Sequence, residues 1–95
     1  MSTPEGKVKA KLVKLLKEHD VYYFFPATGG YGRSGVPDVV GCAAGCFFAI
    51  ECKSEGKVAT PLQEKEMAAI RSSGGVAFVY DGTMSNDELI RRILG

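Results

Sequence analysis

The sequence predicts an α/β fold of order αβββαβα, in which helices flank a four-stranded mixed sheet. Three observations carry this: two Thr-Pro helix starts followed by apolar residues at helical spacing, four short apolar segments bounded by glycine, proline or charge, and a strand-helix-strand step after a tight hairpin. Ninety-five residues suffice for one domain, spanning residues 1–95, around one small core. With 45% apolar and 24% charged residues and no repeat or low-complexity run, disordered and solenoid architectures fall away.

The first helix starts at Thr3-Pro4-Glu5, with threonine as N-cap and proline at the first helical position, where its missing N–H costs nothing. It runs to about Glu18. The helical period puts Val8, Leu12, Leu15 and Leu16 on one face and Lys7, Lys11, Lys14 and Lys17 on the other. Glu5 lies seven residues before Leu12 and eleven before Leu16, so the same period aims its carboxylate at the core. Residues 21–25 (VYYFF) are β-branched or aromatic and read as a strand stopped by Pro26. Residues 27–35 (ATGGYGRSG) hold four glycines and no apolar periodicity, which makes a loop whose backbone can approach a ligand closely.

Residues 38–42 and 46–53 read as a hairpin around a turn at 43–45. Thr60-Pro61-Leu62-Gln63 repeats the helix-start grammar with capping-box spacing. That second helix runs to about Ser72, with Leu62, Met67, Ala69 and Ile70 on its apolar face and Gln63 within the same arc. Gly74-Gly75 ends it, and residues 76–80 (VAFVY) form a continuous apolar strand of the buried type. A right-handed crossover makes this strand the parallel neighbour of the preceding one. Ser85 and Glu88 open a last helix whose Leu89, Ile90, Ile93 and Leu94 pack inward.

Twelve Lys+Arg face eleven Asp+Glu, so there is no uniformly basic surface and any nucleic-acid site must be local. No apolar run approaches the roughly 20 residues that cross a bilayer. The N-terminus turns charged at once, without an apolar signal region, so the expectation is an intracellular protein without membrane contact. Cys42, Cys46 and Cys52 are an odd count, expected as free thiols packed as small apolar groups. A zinc site would need a fourth ligand, and the lone His19 is far away in sequence.

Polarity without an obvious structural reason appears at Glu51-Cys52-Lys53. Side chains alternate along a strand, so Glu51 and Lys53 share one face, and Asp38 opens the strand paired beside them. Hard cations such as Mg²⁺ take oxygen ligands, often one or two carboxylates together with substrate phosphate. Asp38, Glu51 and the Cys52 main-chain carbonyl could supply them, while Lys53 holds or deprotonates the attacking water or offsets charge on the phosphate. Singly, each residue has a plainer explanation. Asp38 suits a strand entry, Glu51 with Lys53 an exposed ion pair worth less than about 1 kcal/mol, Glu5 a helix-dipole acid and Gln63 a cap. The joint pattern favours a site. In the glycine loop, Gly30, Tyr31, Arg33 and Ser34 suit contact with phosphate and base, and Lys7, Lys11 and Lys14 a DNA-backbone track. No lysine-serine/threonine follows the glycines at the spacing of a nucleotide-binding P-loop.

Gly35-Val36-Pro37-Asp38 followed by Glu51-Cys52-Lys53 resembles the PD-(D/E)xK nuclease superfamily, and within it the VRR-Nuc (virus-type replication-repair nuclease) branch. Glu5 on the first helix and Gln63 at the next helix match further positions of that branch, so the resemblance covers nearly the whole chain in order. It implies a restriction-endonuclease-like core and hydrolysis of DNA phosphodiesters dependent on Mg²⁺ or Mn²⁺. The implied catalytic set is Glu5, Asp38, Glu51, Lys53 and Gln63. Metal would be held by Asp38, Glu51 and the Cys52 carbonyl, with Glu5 acting through water. Small members resemble Holliday-junction resolvases, which implies branched or four-way-junction DNA as substrate and a homodimer as the working form. Restriction-like, nicking or flap cleavage on the same fold is the alternative, as is a non-catalytic nucleic-acid-binding module.

Overall fold

Helix ends in this chain sit where a side chain or a left-handed residue can satisfy the free backbone groups. The computed structural model describes residues 3–27 and 32–94. Helix α1 (Pro4–Glu18) is capped by Thr3, whose hydroxyl accepts the Gly6 N–H at 2.9 Å. Helix α2 (Pro61–Ser72) closes a full capping box between Thr60 and Gln63. It ends on Gly74 at φ +96°, with Gly75 N–H bonded to the Ile70 carbonyl and Gly74 N–H to that of Arg71. Helix α3 (Asn86–Leu94) starts with the Glu88 N–H on the Ser85 hydroxyl, but the Glu88 carboxylate turns to Arg91 and Arg92 instead of completing a box.

Between them lie β1 (Tyr22–Phe24), β2 (Val39–Ala43), β3 (Cys46–Cys52) and β4 (Val76–Tyr80), so the observed order is αβββαβα. The sheet runs β1-β2-β3-β4, with only the β3–β4 pair parallel. The β2–β3 hairpin turns through Ala44 and Gly45, both at positive φ, which matches the right-handed twist of the strands.

Alternation along the strands divides the core in two. On one face Phe48, Ile50, Phe78 and Tyr80 pack with Leu12, Leu15 and Leu16 of α1 and Leu89 and Ile93 of α3. The other face carries Val40, Ala49 and Ala77 against Met67 of α2. Helix α2 packs on β4 and β3, which leaves β1 open on that face, while in β2 Val40 is buried against Met67 and Cys42 is exposed. This changes the expected face of α2. Leu62 is half exposed and Ala69 exposed, while Glu66 is buried beside Met67. In α3 only Leu89 and Ile93 are fully buried, and Leu94 is half exposed. Of the three free thiols only Cys52 is packed away, Cys42 being exposed and Cys46 intermediate. No described helix is long and apolar enough to cross a membrane.

Gly41 is set by packing. A Cβ there would lie 2.1 Å from the Tyr22 carbonyl oxygen and 2.6 Å from Phe48 Cζ. Backbone on one side and a fully buried ring on the other leave nothing that can yield. Gly41→Ala is therefore expected to cost about 3 kcal/mol or more, a fall in Tm of more than about 10 °C for a domain of this size. Gly45→Ala, where no atom lies within 4 Å of the added carbon, should cost only about 1 kcal/mol from its positive φ. Thermal unfolding of the two variants checks the difference.

Candidate active site

Asp38 is positioned by a tight approach of the chain to α2. Gly35 has φ +73°, and a Cβ there would stand 2.8 Å from the Leu62 carbonyl oxygen, so the 35–37 turn lies directly against the first turn of the helix. Pro37 is fully buried and leads into β2. The Val39–Ile50 pairing, extended by one residue, sets Asp38 opposite Glu51 on the α2 face. Asp38 Oδ2 accepts the Cys52 N–H at 2.9 Å. The neighbouring Lys53 N–H bonds the Tyr80 carbonyl on the other side of the strand, so the Cys52 carbonyl points to the Asp38 side as well.

Glu51 is 3% exposed. Burial is the main cause that pushes its carboxyl up to about 7, and the Asp38 charge adds to it, while the Lys53 ammonium pulls the other way. Gln63 Nε2 donates to Glu51 Oε2 at 3.1 Å, and Lys53 Nζ lies 3.6 Å from the same oxygen. The Gln63 amide also works at its other end, since Oε1 accepts the Thr60 N–H at 2.9 Å. Cap and site contact are thus two roles of one side chain, requiring a carbonyl at one end and an NH₂ at the other. Gln63→Glu keeps an acceptor for the cap but sets another carboxylate against Glu51. Such a variant should lose stability above pH 7 and regain it in acid, which a pH series of thermal unfolding would detect as a steeper decline than in the parent.

Cys52 presents no thiolate. Burial first, then the charges of Asp38 and Glu51, push its thiol up to about 12, so its main-chain carbonyl is the group it can offer a cation.

Glu5 departs from expectation. Burial along α1 is complete only from Leu12 onward, so a place in register with the apolar stripe does not bury the first turn, and Glu5 is exposed. Its charge still reaches Glu51, as the smallest of the influences on that carboxyl. The expected DNA-contact residues are not gathered at the cluster. Arg33 is paired with Glu66 of α2 at 2.5 Å, and Ser34 is exposed beside it. Gly30 and Tyr31 lie outside the described residues. Lys7 and Lys14 are exposed, and Lys11 Nζ donates to the Gly82 carbonyl at 3.0 Å. All three lysines belong to α1, which packs on the sheet face opposite to Glu51. Glu66 was not anticipated; its signal was its place three residues after Gln63, one turn along the same helix face.

The cluster has the chemistry of a hard-cation site. Two carboxylates side by side in low dielectric repel one another, a main-chain carbonyl points the same way, and every available donor is oxygen. Among the described residues no group of three or more His, Cys, Asp or Glu side chains is assembled for a metal, so an ion here would rest on two carboxylates, the carbonyl, water and substrate. The fold and site together are those of an αβββαβα protein with an acidic-lysine cluster at the β2–β3 end of its sheet. No family model, curated protein or solved structure matches the chain.

Proposed function

We propose that the protein is a divalent-metal-dependent DNA endonuclease. The observation that carries this reading is the buried Glu51, faced by Asp38 and contacted through one oxygen by Lys53 and Gln63. A carboxylate so desolvated, beside a second one, is costly for a structural role and is the arrangement that ligand binding relieves. Mg²⁺ or Mn²⁺ fits Asp38, Glu51 and the Cys52 carbonyl, and when bound would supply Lewis-acid polarisation of a phosphoryl oxygen.

The chain's own residues account for the remaining requirements. Lys53 places a positive charge beside Glu51, where it orients the attacking water and offsets charge growing on the phosphate in an in-line displacement. Gln63 fixes the Glu51 carboxylate by donating to Oε2, and Asp38 is held by the Cys52 N–H. Glu5, exposed at the start of α1, is left with an indirect part through water. Cutting both strands of a four-way junction needs two sites, which a two-fold pair of chains would supply. The test is cleavage of linear, flap and four-way-junction DNA with Mg²⁺ and Mn²⁺, alongside sedimentation of the pure protein. Metal-dependent cutting of any of them is the expected result, and cutting of the junction by a dimer supports the resolvase-like form. If no substrate is cut with either metal, the nuclease reading fails and the alternative of a non-catalytic nucleic-acid-binding module is favoured.

A further inference from the structure

Beyond Asp38 and Glu51 the α2 face of the sheet continues into an open groove of about 500 Å³, with Phe24, Val40, Phe47 and Ile70 among its lining and Arg33 and Glu66 as its charged groups. Val40 and Ala49 are the next pair on this face after Asp38 and Glu51, about 7 Å along the strands. Glu66 follows Gln63 by about one helical turn. The groove and the proposed cleavage site therefore share one face of the sheet, about 7 Å apart along the strands.

We propose that this groove takes an unpaired nucleobase of the substrate strand, one or two nucleotides from the scissile phosphate. The inference rests on the nuclease reading and adds a substrate preference to it, for DNA in which a base next to the cut is unstacked. The volume lies within the range of small-ligand sites. Phe24 and Phe47, 48% and 46% exposed, offer rings to the π face of a base. At the polar end the Glu66 side chain is only 11% exposed and can accept from an exocyclic amine, while the Arg33 guanidinium, 70% exposed, can donate to a base carbonyl or a phosphate.

A second copy of the chain fits less well. The three aromatics on this face, with Tyr22 at 67% exposure, leave on the order of 300 Å² open, taking roughly 150–250 Å² for a whole aromatic side chain. A stable two-fold contact takes about 800 Å² from each partner. Two copies of one concave face also leave the concavity unfilled between them.

The experiment is fluorescence of 2-aminopurine, placed in the single-stranded tail of a short duplex and titrated with protein in EDTA, so that hydrolysis plays no part. Wild type should quench the probe at least twofold at saturation, and pairing the probe in duplex should abolish the effect. Phe47→Ala and, as a second variant in a different strand, Phe24→Ala should each restore most of the fluorescence and weaken binding by anisotropy about tenfold, with circular dichroism unchanged. Absence of quenching by wild type, or quenching that survives both substitutions, overturns the base site. So does a dimer that Phe47→Ala splits in sedimentation while quenching is unaffected, which would give the groove to a second copy. Quenching by a protein that cuts no DNA with Mg²⁺ or Mn²⁺ would retain the base site and remove the nuclease reading. Cutting without quenching would do the reverse.

Discussion

Asp38→Asn is expected to abolish metal-dependent cleavage and to weaken Mn²⁺ binding severely, while the fold persists. Asparagine still offers an oxygen to the Cys52 N–H that Asp38 Oδ2 accepts at 2.9 Å, so the hydrogen bond that ties β2 to β3 at this end is kept and only the charge is lost. Asp38→Ala would instead strand that N–H at about 1–3 kcal/mol and confuse stability with chemistry. Lys53→Ala is the complement. Its ammonium lies 3.6 Å from Glu51 Oε2 and donates to no metal, so metal binding should survive while the cleavage rate falls by roughly 10²–10³-fold, the range for loss of one preorganised electrostatic group. Calorimetric Mn²⁺ titration and single-turnover cleavage on the same two variants read both properties. Normal cleavage by Asp38→Asn would remove the site assignment.

Glu51→Gln is expected to stabilise the metal-free protein at pH 8 while abolishing the proposed metal-dependent cleavage. The folded carboxyl stands at about 7 against an ordinary 4.5, with burial as the first cause and Asp38 the second. The sign follows from proton binding: between these values the folded chain holds more proton than the unfolded one, so stability falls as pH rises from about 4.5 to about 7 and stays low above it. The shift corresponds to about 3 kcal/mol. Glutamine keeps an acceptor for Gln63 Nε2 and has no charge to desolvate, so the variant should lose most of this slope. Urea unfolding from pH 5 to 8 on both proteins checks it, and a wild-type curve parallel to that of Glu51→Gln would contradict it. Mg²⁺ should restore stability to wild type alone, most strongly above pH 7, because it binds the ionised carboxylates of the folded state.

The elements that were legible in the sequence are those specified within a few residues. Thr3-Pro4 and Thr60-Pro61 start their helices because a hydroxyl and a preset φ act locally, and Gly74 stops α2 for an equally local reason. Glu51 and Lys53 share a face because alternation is a property of any strand. What was not legible depended on neighbours remote in sequence. Glu5 and Leu62 keep the helical register of buried residues yet are open, since register says which way a side chain points and not whether another layer stands there. Glu66 and Arg33 are thirty-three residues apart, and only the packing of the turn around Gly35 against α2 brings them together.

By itself, then, the sequence determined the order of elements, the hairpin that brings Asp38 beside the Glu51–Lys53 end, and the cap at Gln63, all of which follow from local geometry. The structure shortened the turn expected at 43–45 to Ala44 and Gly45, which sets Asp38 opposite Glu51, and showed Gln63 serving cap and site at once. Only the tertiary structure decided that α2 would cover β3 and β4, bury Val40 of β2 and leave β1 open on the same face. It alone buried Glu51 to 3% exposure, which turns an ordinary acid into a carboxyl poised near 7. It also put the α1 lysines on the opposite layer. The physical reason is common to all three: desolvation and layer packing depend on what stands above a residue, and nothing within a few positions along the chain supplies that.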